Sequence, residues 1–444
     1  MCSILDKLLH TDTYSPYIKK EHIRFCAPTN KAKKILSQTV QYPDLYREDQ
    51  FRTLHQLLKL KRQVNEYGGN NFEPGDQKTA LKETSDPKTQ FRLVIIDECS
   101  MISQKLYQLV ISLMHLRPYL KVVFLGDPCQ LPPINEPESL CFANHRANIE
   151  LTEIVRNKGA IQSLCNFTRE HQMTPRIIHF AEWSANIKPE CENKEGVSFL
   201  VDEQLWKDTI FEAFRTIPDT HVLTWTNRRT DELNREVRRY LFPDKFNEPY
   251  CEGERLIATD YFRGNWAWKR NEDLVVEPTE HYTCDQFTVV RLKEEEVIFS
   301  LQKPATMEPP EIFTLQVYKL YIFEDDNFVE YIYSAAKCKQ LYDTIFEKAT
   351  AIAKERTELF KKFKTKVFKE AAKSAWQQVY NFKETFNPGI NYDYSTTVHK
   401  SQGSTYKLVF TDLADISRNR DLLYRNQCIY TAFSRASKRL IIYN

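Results

Sequence analysis

The densest chemistry in the chain sits in Leu93-Val94-Ile95-Ile96-Asp97-Glu98, four apolar residues followed by two carboxylates. A continuous apolar run of this length reads as a strand buried on both faces of a parallel sheet. Open α/β sheets bind their ligands at the C-terminal ends of such strands. An acid pair there suits phosphoryl chemistry. Asp97 would hold Mg²⁺, directly or through water, and Glu98 would orient and deprotonate the water attacking a γ-phosphate. An Asp-Glu pair after a strand is common, so this one needs company.

Three other segments supply it. Phe124-Leu125-Gly126-Asp127-Pro128-Cys129-Gln130 ends another apolar run, and the Gln130 amide can donate to a phosphate while accepting from water. The same loop can equally be read as a rigid, proline-stiffened turn. Thr396-Thr397-Val398-His399-Lys400-Ser401-Gln402-Gly403-Ser404-Thr405 gathers phosphate-friendly groups around one glycine. Cys428 through Ala436 sets Arg435 after a strand-like run, either as a finger on developing phosphoryl charge or as an ordinary surface ion pair.

These groups need elements to hold them. Ile23–Cys26, Leu93–Ile96 and Val122–Leu125 are strand-length apolar runs, and Lys105–His115 between them has helical spacing. Alternation of this kind predicts a parallel sheet with crossover helices. The pattern resumes at His221–Thr224, Leu408–Phe410 and Arg439–Ile442, so a second α/β unit is interrupted by an insertion from about 251 to 391. The first half of the insertion has short alternating runs that predict a small β-barrel. The second half is helical and basic, with Phe360, Phe363, Val367 and Ala371 as an apolar stripe. That face is either solvated or a wall beside a polyanion. Further upstream, Val64 through Pro74 places Gly-Gly-Asn between two short alternating runs, a hairpin signal.

Composition narrows the class. The 444 residues carry 62 Lys+Arg against 60 Asp+Glu, a net +2, so any basic groove is local. No apolar run reaches the ~18 residues of a spanning helix, and the N-terminus lacks the apolar core of a secretory signal. None of the 11 cysteines forms a CxxC pair, which supports neither a structural metal nor a disulfide framework and predicts a reduced, intracellular protein, cytoplasmic or nuclear.

Taken in order, the segments resemble superfamily-1 helicases, in particular the RecD/Dda type of 5′→3′ DNA helicase. Ala27-Pro28-Thr29-Asn30-Lys31-Ala32 looks like motif Ia and Thr53-Leu54-His55-Gln56-Leu57-Leu58 like motif Ib. Asp97-Glu98 is similar to motif II, Gly126 through Gln130 to motif III, and Leu151 through Arg156 to motif IV. Thr224 through Asn234 looks like the opening of the second core, His399 through Gly403 like motif V, and Tyr430 through Arg435 like motif VI.

The resemblance implies an α/β protein with two RecA-like parallel-sheet cores of the P-loop NTPase fold. The first would span 1–158, with a pin-like hairpin at about 60–90. The second would span 159–250 and 392–444, interrupted by the β-barrel (251–335) and the basic helices (336–391). It implies ATP and Mg²⁺ in the cleft, with Arg156 and Arg435 reaching the nucleotide from opposite sides and Asp127, Gln402 and Gly403 near it. Asn30, Lys31, His55, Thr397, His399 and Lys400 would lie along single-stranded DNA as phosphate contacts, which position a strand without reading it. Trp225 would either stack a base or fill the core. Tyr67 or Phe72 would stack on the last base pair of a forked duplex. A monomer is the expected working form.

One part of the pattern is missing. None of the 10 glycines is followed by lysine, so GxxxxGK[ST] is absent. Ser3 through Leu9 reads as the interior of an amphipathic helix, as if the chain began just past that loop. The expectation is a truncated chain whose first core lacks a central strand and which, alone, binds ATP poorly. The rivals are an ATPase-inactive subunit that binds single-stranded nucleic acid, and a two-metal nuclease built on Asp97 and Glu98.

Overall fold

A computed structural model describes residues 20–39, 48–74, 91–143, 148–150, 159–172, 176–185, 196–270, 273–325 and 327–444. They group into two compact units, one drawn from 1–58, 81–246 and 392–444, the other from 59–80 and 247–391. No helix among the described residues is long and apolar enough to cross a membrane.

The first unit opens with β1 (Ile23–Ala27), α1 (Asn30–Thr39), β2 (Phe51–Thr53) and α2 (Leu54–Leu57). The chain then lends the hairpin β3 (Leu60–Val64) and β4 (Asn70–Pro74) to the second unit. It returns with β5 (Leu93–Ile96), α3 (Gln104–Leu116) and β6 (Lys121–Phe124). These strands pair in the parallel order β2-β1-β5-β6. Every residue of β1 and β5 is buried, as continuous apolar runs require. Among the described residues these four strands are successive neighbours. Of these, β6 lies at one edge of the sheet among the described residues, where Val123 is 41% exposed.

Next come α4 (Gly159–Gln172), α5 (Phe180–Ala185), β7 (Gly196–Leu200), α6 (Glu203–Thr216), β8 (Thr220–Thr224) and α7 (Asn227–Leu241). The second unit then intervenes with β9 (Arg255–Ala258), β10 (Phe262–Arg270), β11 (Asp273–His281), β12 (Gln286–Thr288), β13 (Arg291–Leu301), β14 (Glu311–Glu324) and β15 (Phe328–Ser334). Two helices, α8 (Lys339–Phe363) and α9 (Lys366–Phe386), and the short β16 (Ile390–Tyr392) complete it. Its main sheet runs β11-β10-β15-β14-β13, all antiparallel, and β12-β9-β16 form a separate sheet. Closure into the expected barrel is not seen among the described residues.

Two readings of this unit need correction. The stripe of Phe360, Phe363, Val367 and Ala371 does not lie on one helix. Lys364 adopts a left-handed C-cap and Thr365 caps the next helix, leaving Phe363 and Val367 exposed at the turn. Helical spacing in sequence here crosses a helix–helix corner. The β3/β4 hairpin is present, but Val64 pairs with Asn70, so its turn is 65–69. Asn65 organises that turn, its Oδ1 accepting from the amides of Tyr67 and Gly69 at 3.0 and 2.7 Å. The tip is fastened to the helices: Tyr380 donates to the Gly68 carbonyl at 2.7 Å and Thr357 to that of Glu66 at 2.8 Å. Gly68 has φ +82°, and a Cβ there would meet the Trp376 ring at 2.8 Å.

The first unit resumes with β17 (Ser395–Thr397), β18 (Tyr406–Asp412), α10 (Leu413–Ile416), α11 (Leu422–Phe433) and β19 (Ala436–Tyr443). Its second sheet is parallel throughout, β17-β8-β18-β19-β7. Buried Asn234 of α7 anchors the lead into β17, its Oδ1 accepting from the amides of Tyr394 and Ser395 while its Nδ2 donates to the Ser395 carbonyl.

Candidate active site

The acid pair leaves β5 at the sheet's C-terminal end. The Asp97 amide donates to the Cys26 carbonyl at 2.8 Å, which brings Asp97 beside the 28–30 turn. One Asp97 oxygen accepts from the Glu98 amide at 2.9 Å. Glu98 has φ +52°, a left-handed conformation that is unusual for a residue with a Cβ and aims its side chain out of the regular path. The next strand's loop is drawn close, with the Cys99 amide donating to Leu125 at 2.9 Å. A Cβ on Gly126 would lie 2.7 Å from Cys99 Sγ and 3.2 Å from the Ser100 amide, so only glycine permits this approach.

Asp127 and Gln130 follow on that loop. An Asp127 oxygen accepts from the Cys129 amide at 3.0 Å. Gln130 is buried, and its Oε1 has no hydrogen-bond partner. A buried orphan acceptor costs free energy unless water or a ligand satisfies it.

The second sheet supplies the opposite wall. Gln402 donates to the Leu131 carbonyl at 2.8 Å, and Thr431 Oγ1 accepts from the Leu131 amide at 3.1 Å. The Tyr430 hydroxyl donates to Asp127 at 2.6 Å, and burial together with that carboxylate pushes the phenol's pKa up. Gly403 has φ +73°, and a Cβ there would stand 3.2 Å from Ala32 and 3.8 Å from Glu98 Cγ. Motif-like loops from both sheets therefore face one crevice around Glu98.

Other residues singled out in the sequence fall as follows. Arg435 is fully buried within the second sheet's end, where it donates to the carbonyls of Thr431 and Ser404 and to Ser434 Oγ. Lys31 donates to the Tyr406 hydroxyl at 3.0 Å, linking α1 to β18. Asn30 begins α1, capped by Thr29, whose Oγ1 accepts from the Ala32 amide. His55 sits in α2, held by reciprocal Thr53 and Gln56 hydrogen bonds. Burial lowers the pKa of both His55 and His399, and His399 is hydrogen-bonded to and stacked on Tyr424. Thr397 is buried on β17 and Lys400 half-buried beyond it. Trp225 packs against the core, with its amide and that of Thr226 donating to Asp415 at 2.9 and 2.8 Å. Arg156 lies outside the described residues. The sequence pattern points to neither Tyr406 nor Asp415, and to Tyr430 and Thr431 only as part of the motif VI-like segment. Their partners lie roughly 190 to 375 positions away, and no local pattern encodes such pairs.

The residues present fit a magnesium nucleotide. Mg²⁺ is usually held by one or two carboxylates plus substrate phosphates. The described residues offer Asp97 and Glu98 and no cluster of three or more metal-ligating side chains. The orphan Gln130 Oε1 adds a buried acceptor for water on the loop after β6.

Two parallel α/β sheets that present loops, an acid pair and a buried amide to one crevice define a two-core nucleoside-triphosphatase architecture. The AAA domain family matches residues 9–185 and the UvrD-like helicase C-terminal domain matches 393–443. The chain is 26% identical over 460 residues to an uncharacterised protein of Acanthamoeba polyphaga mimivirus, covering 95% of this chain and 88% of that one. It is 20% identical over 423 residues to the ATP-dependent DNA helicase dda of Enterobacteria phage T4, covering 90% and 84%. Among solved structures it aligns with Pif1 helicase from Bacteroides in complex with ADP-AlF3 and ssDNA, at 13% identity and TM-score 0.42, covering 99% of this chain and 85% of that one. The AAA and UvrD-like matches, together with the similarity to the T4 helicase, support a superfamily-1 helicase of the Dda/Pif1 type.

Proposed function

We propose that this protein is an ATP-dependent DNA helicase that translocates 5′→3′ on single-stranded DNA and separates forked duplexes. The observation that carries the reading is the meeting of Gly403 and Glu98, because it places loops of two sheets around one acid pair. Bound Mg²⁺ would neutralise developing phosphate charge. Asp97 would hold it, Glu98 would orient and deprotonate the attacking water, and Gln130 would sense the γ-phosphate. Arg435, by exchanging its present carbonyl partners, and Arg156 would complete the phosphate contacts. Opening and closing of the two walls would alternate the grip of Asn30, Lys31, His55, Thr397, His399 and Lys400 on the strand. Among these, neutral His55 and His399 would act as hydrogen-bonding groups and Lys31 and Lys400 as charges. Tyr67, exposed at the hairpin tip, is the better pin residue. Phe72 is committed to edge contacts with Tyr261.

The sequence holds no GxxxxGK[ST], and Arg435 is satisfied within its own sheet. Both observations favour a second reading, a single-strand-binding subunit that does not hydrolyse ATP. One experiment separates them. DNA-stimulated phosphate release and fork unwinding would be measured for the 444-residue chain alone and with a strand–GxxxxGKT–helix segment fused ahead of residue 1. The helicase reading expects weak activity alone, robust activity in the fusion, and loss of about 10²–10⁴ in turnover with Glu98→Gln while single-strand binding persists. Tight DNA binding with no hydrolysis in either form supports the second reading instead. Forks with only a 5′ or only a 3′ tail test polarity.

A further inference from the structure

A cavity of about 450 Å³ lies apart from the residues that form the crevice around Glu98. Its walls are mainly apolar, with Ile178 and Phe180 on one side, Phe199 of β7 on another, and Leu413 and Ile429 from α10 and α11. The volume falls in the range of small-molecule pockets, about 300–1,000 Å³. One charged side chain enters this lining, Arg425 of α11.

Arg425 is 8% exposed, and its Nε is buried without a hydrogen-bond partner. Its guanidinium takes part in none of the ion pairs or side-chain hydrogen bonds among the described residues. Arginine stays charged in proteins, and a buried charge is ordinarily paired because desolvating it alone is costly. Arg425 and Ile429 are four positions apart and so share one face of α11. The neighbouring Asn426 pins the cavity's wall segment by donating to the Arg176 carbonyl at 3.0 Å. The guanidinium is thus held at a mainly apolar cavity, with no carboxylate among the described residues at ion-pair distance from it.

We propose that this cavity binds a small organic carboxylate, its head group paired with Arg425 and its apolar body laid against Ile178, Phe180, Phe199 and Ile429. A guanidinium fork matches the planar, two-oxygen geometry of a carboxylate. One arginine and no lysine in the lining suit a monoanion better than a phosphate dianion. The apolar walls offer little to the backbone polar groups that a peptide would bring.

Isothermal titration of the full chain with octanoate, with 1-octanol as the uncharged counterpart, tests this. The expected result is one octanoate site, at least tenfold weaker binding of octanol, and at least tenfold loss of octanoate affinity in Arg425→Gln. Ser417 is exposed at the lining, so Ser417→Trp narrows the mouth without touching the core and should remove binding even if Arg425→Gln folds poorly. No heat at millimolar octanoate, equal binding of the alcohol, or unchanged binding in the folded Ser417→Trp variant would overturn the proposal.

Discussion

The Tyr430 hydroxyl donates to the Asp127 carboxylate at 2.6 Å, joining the last turns of α11 to the loop after β6. The two residues are 303 positions apart, and each belongs to a different sheet's loop set. Beside them, Thr431 Oγ1 accepts from the Leu131 amide, so this one helix end holds the loop at two points. Gln402 holds it at a third. The loop that carries Gln130 is therefore positioned by the opposite wall.

Tyr430→Phe removes the hydroxyl but keeps the ring. Hydrogen bonds to charged groups contribute about 1.5–3 kcal/mol, and Asp127 is left half-buried with one fewer donor. The expected outcome is a loss of stability in that range by urea denaturation, together with a drop of about ten- to a hundredfold in DNA-stimulated phosphate release, because Gln130 shifts. A variant with an unchanged midpoint and unchanged turnover would show that the contact does not position the loop.

Gly126→Ala tests the approach of the two loops in the first sheet. Its Cβ would meet Cys99 Sγ at 2.7 Å and the Ser100 backbone at 3.2 Å, and the backbone cannot swing away as a side-chain tip can. Overpacking of this kind costs about 1–3 kcal/mol. The segment that must move also carries Asp97 and Glu98, so turnover should fall further than stability does. Adding Cys99→Ala, which clears the Sγ but not the backbone, should restore stability only in part.

Acid sensitivity follows from buried histidines. Burial takes the pKa of His281 down to about 4 and lowers those of His55 and His399. The folded state then binds fewer protons than the unfolded state once pH drops below the ordinary histidine value. These groups contribute stability that is present above about pH 6.5 and lost as pH falls toward 4. The loss for His281, which is 8% exposed, is on the order of 3 kcal/mol at the low end. Glu330, 3.5 Å from the His281 ring, has its own pKa raised by burial. A series of denaturation midpoints from pH 8 to 4 should be flat above 6.5 and decline below it, and His281→Phe should shallow the decline. An undiminished slope in that variant would assign the effect elsewhere.

The sequence made legible what depends on local pattern. Leu93–Ile96 reads as a buried strand and is one, with the acid pair at its end, because a strand buried on both faces must be apolar at every position. The parallel order of the two sheets follows from the same alternation of strand and helix. Contacts that close over hundreds of residues left no such trace. Lys31 meeting Tyr406 and Tyr430 meeting Asp127 depend on how the loops of two sheets converge. The helical corner at Lys364 was hidden because apolar spacing continues through it, and only the left-handed backbone at one lysine ends the helix. Whether antiparallel strands close into a barrel is likewise decided by edges distant in sequence, and among the described residues the sheet's order runs from β11 to β13.

The hairpin allows a last, discriminating test. Tyr67 is 57% exposed, and its ring lies tilted against Phe360, with centroids 5.9 Å apart. Phe72 sits edge-on to Tyr261 at 5.7 Å and near Tyr282 at 6.2 Å, so it braces β4 against the unit's own aromatic residues. If the tip splits duplexes, Tyr67→Ala should slow strand separation severalfold while leaving single-strand-stimulated hydrolysis and thermal stability within error. Losing an exposed ring removes few contacts, and surface substitutions are usually within about 0.5 kcal/mol. Phe72→Ala should instead lose about 2–4 kcal/mol of stability, as truncation of packed aromatic residues does. Its unwinding defect should then scale with the fraction unfolded. Measuring unwinding per folded molecule separates the roles. Equal per-molecule defects in both variants would mean that the hairpin acts as a block, with no single ring at the junction.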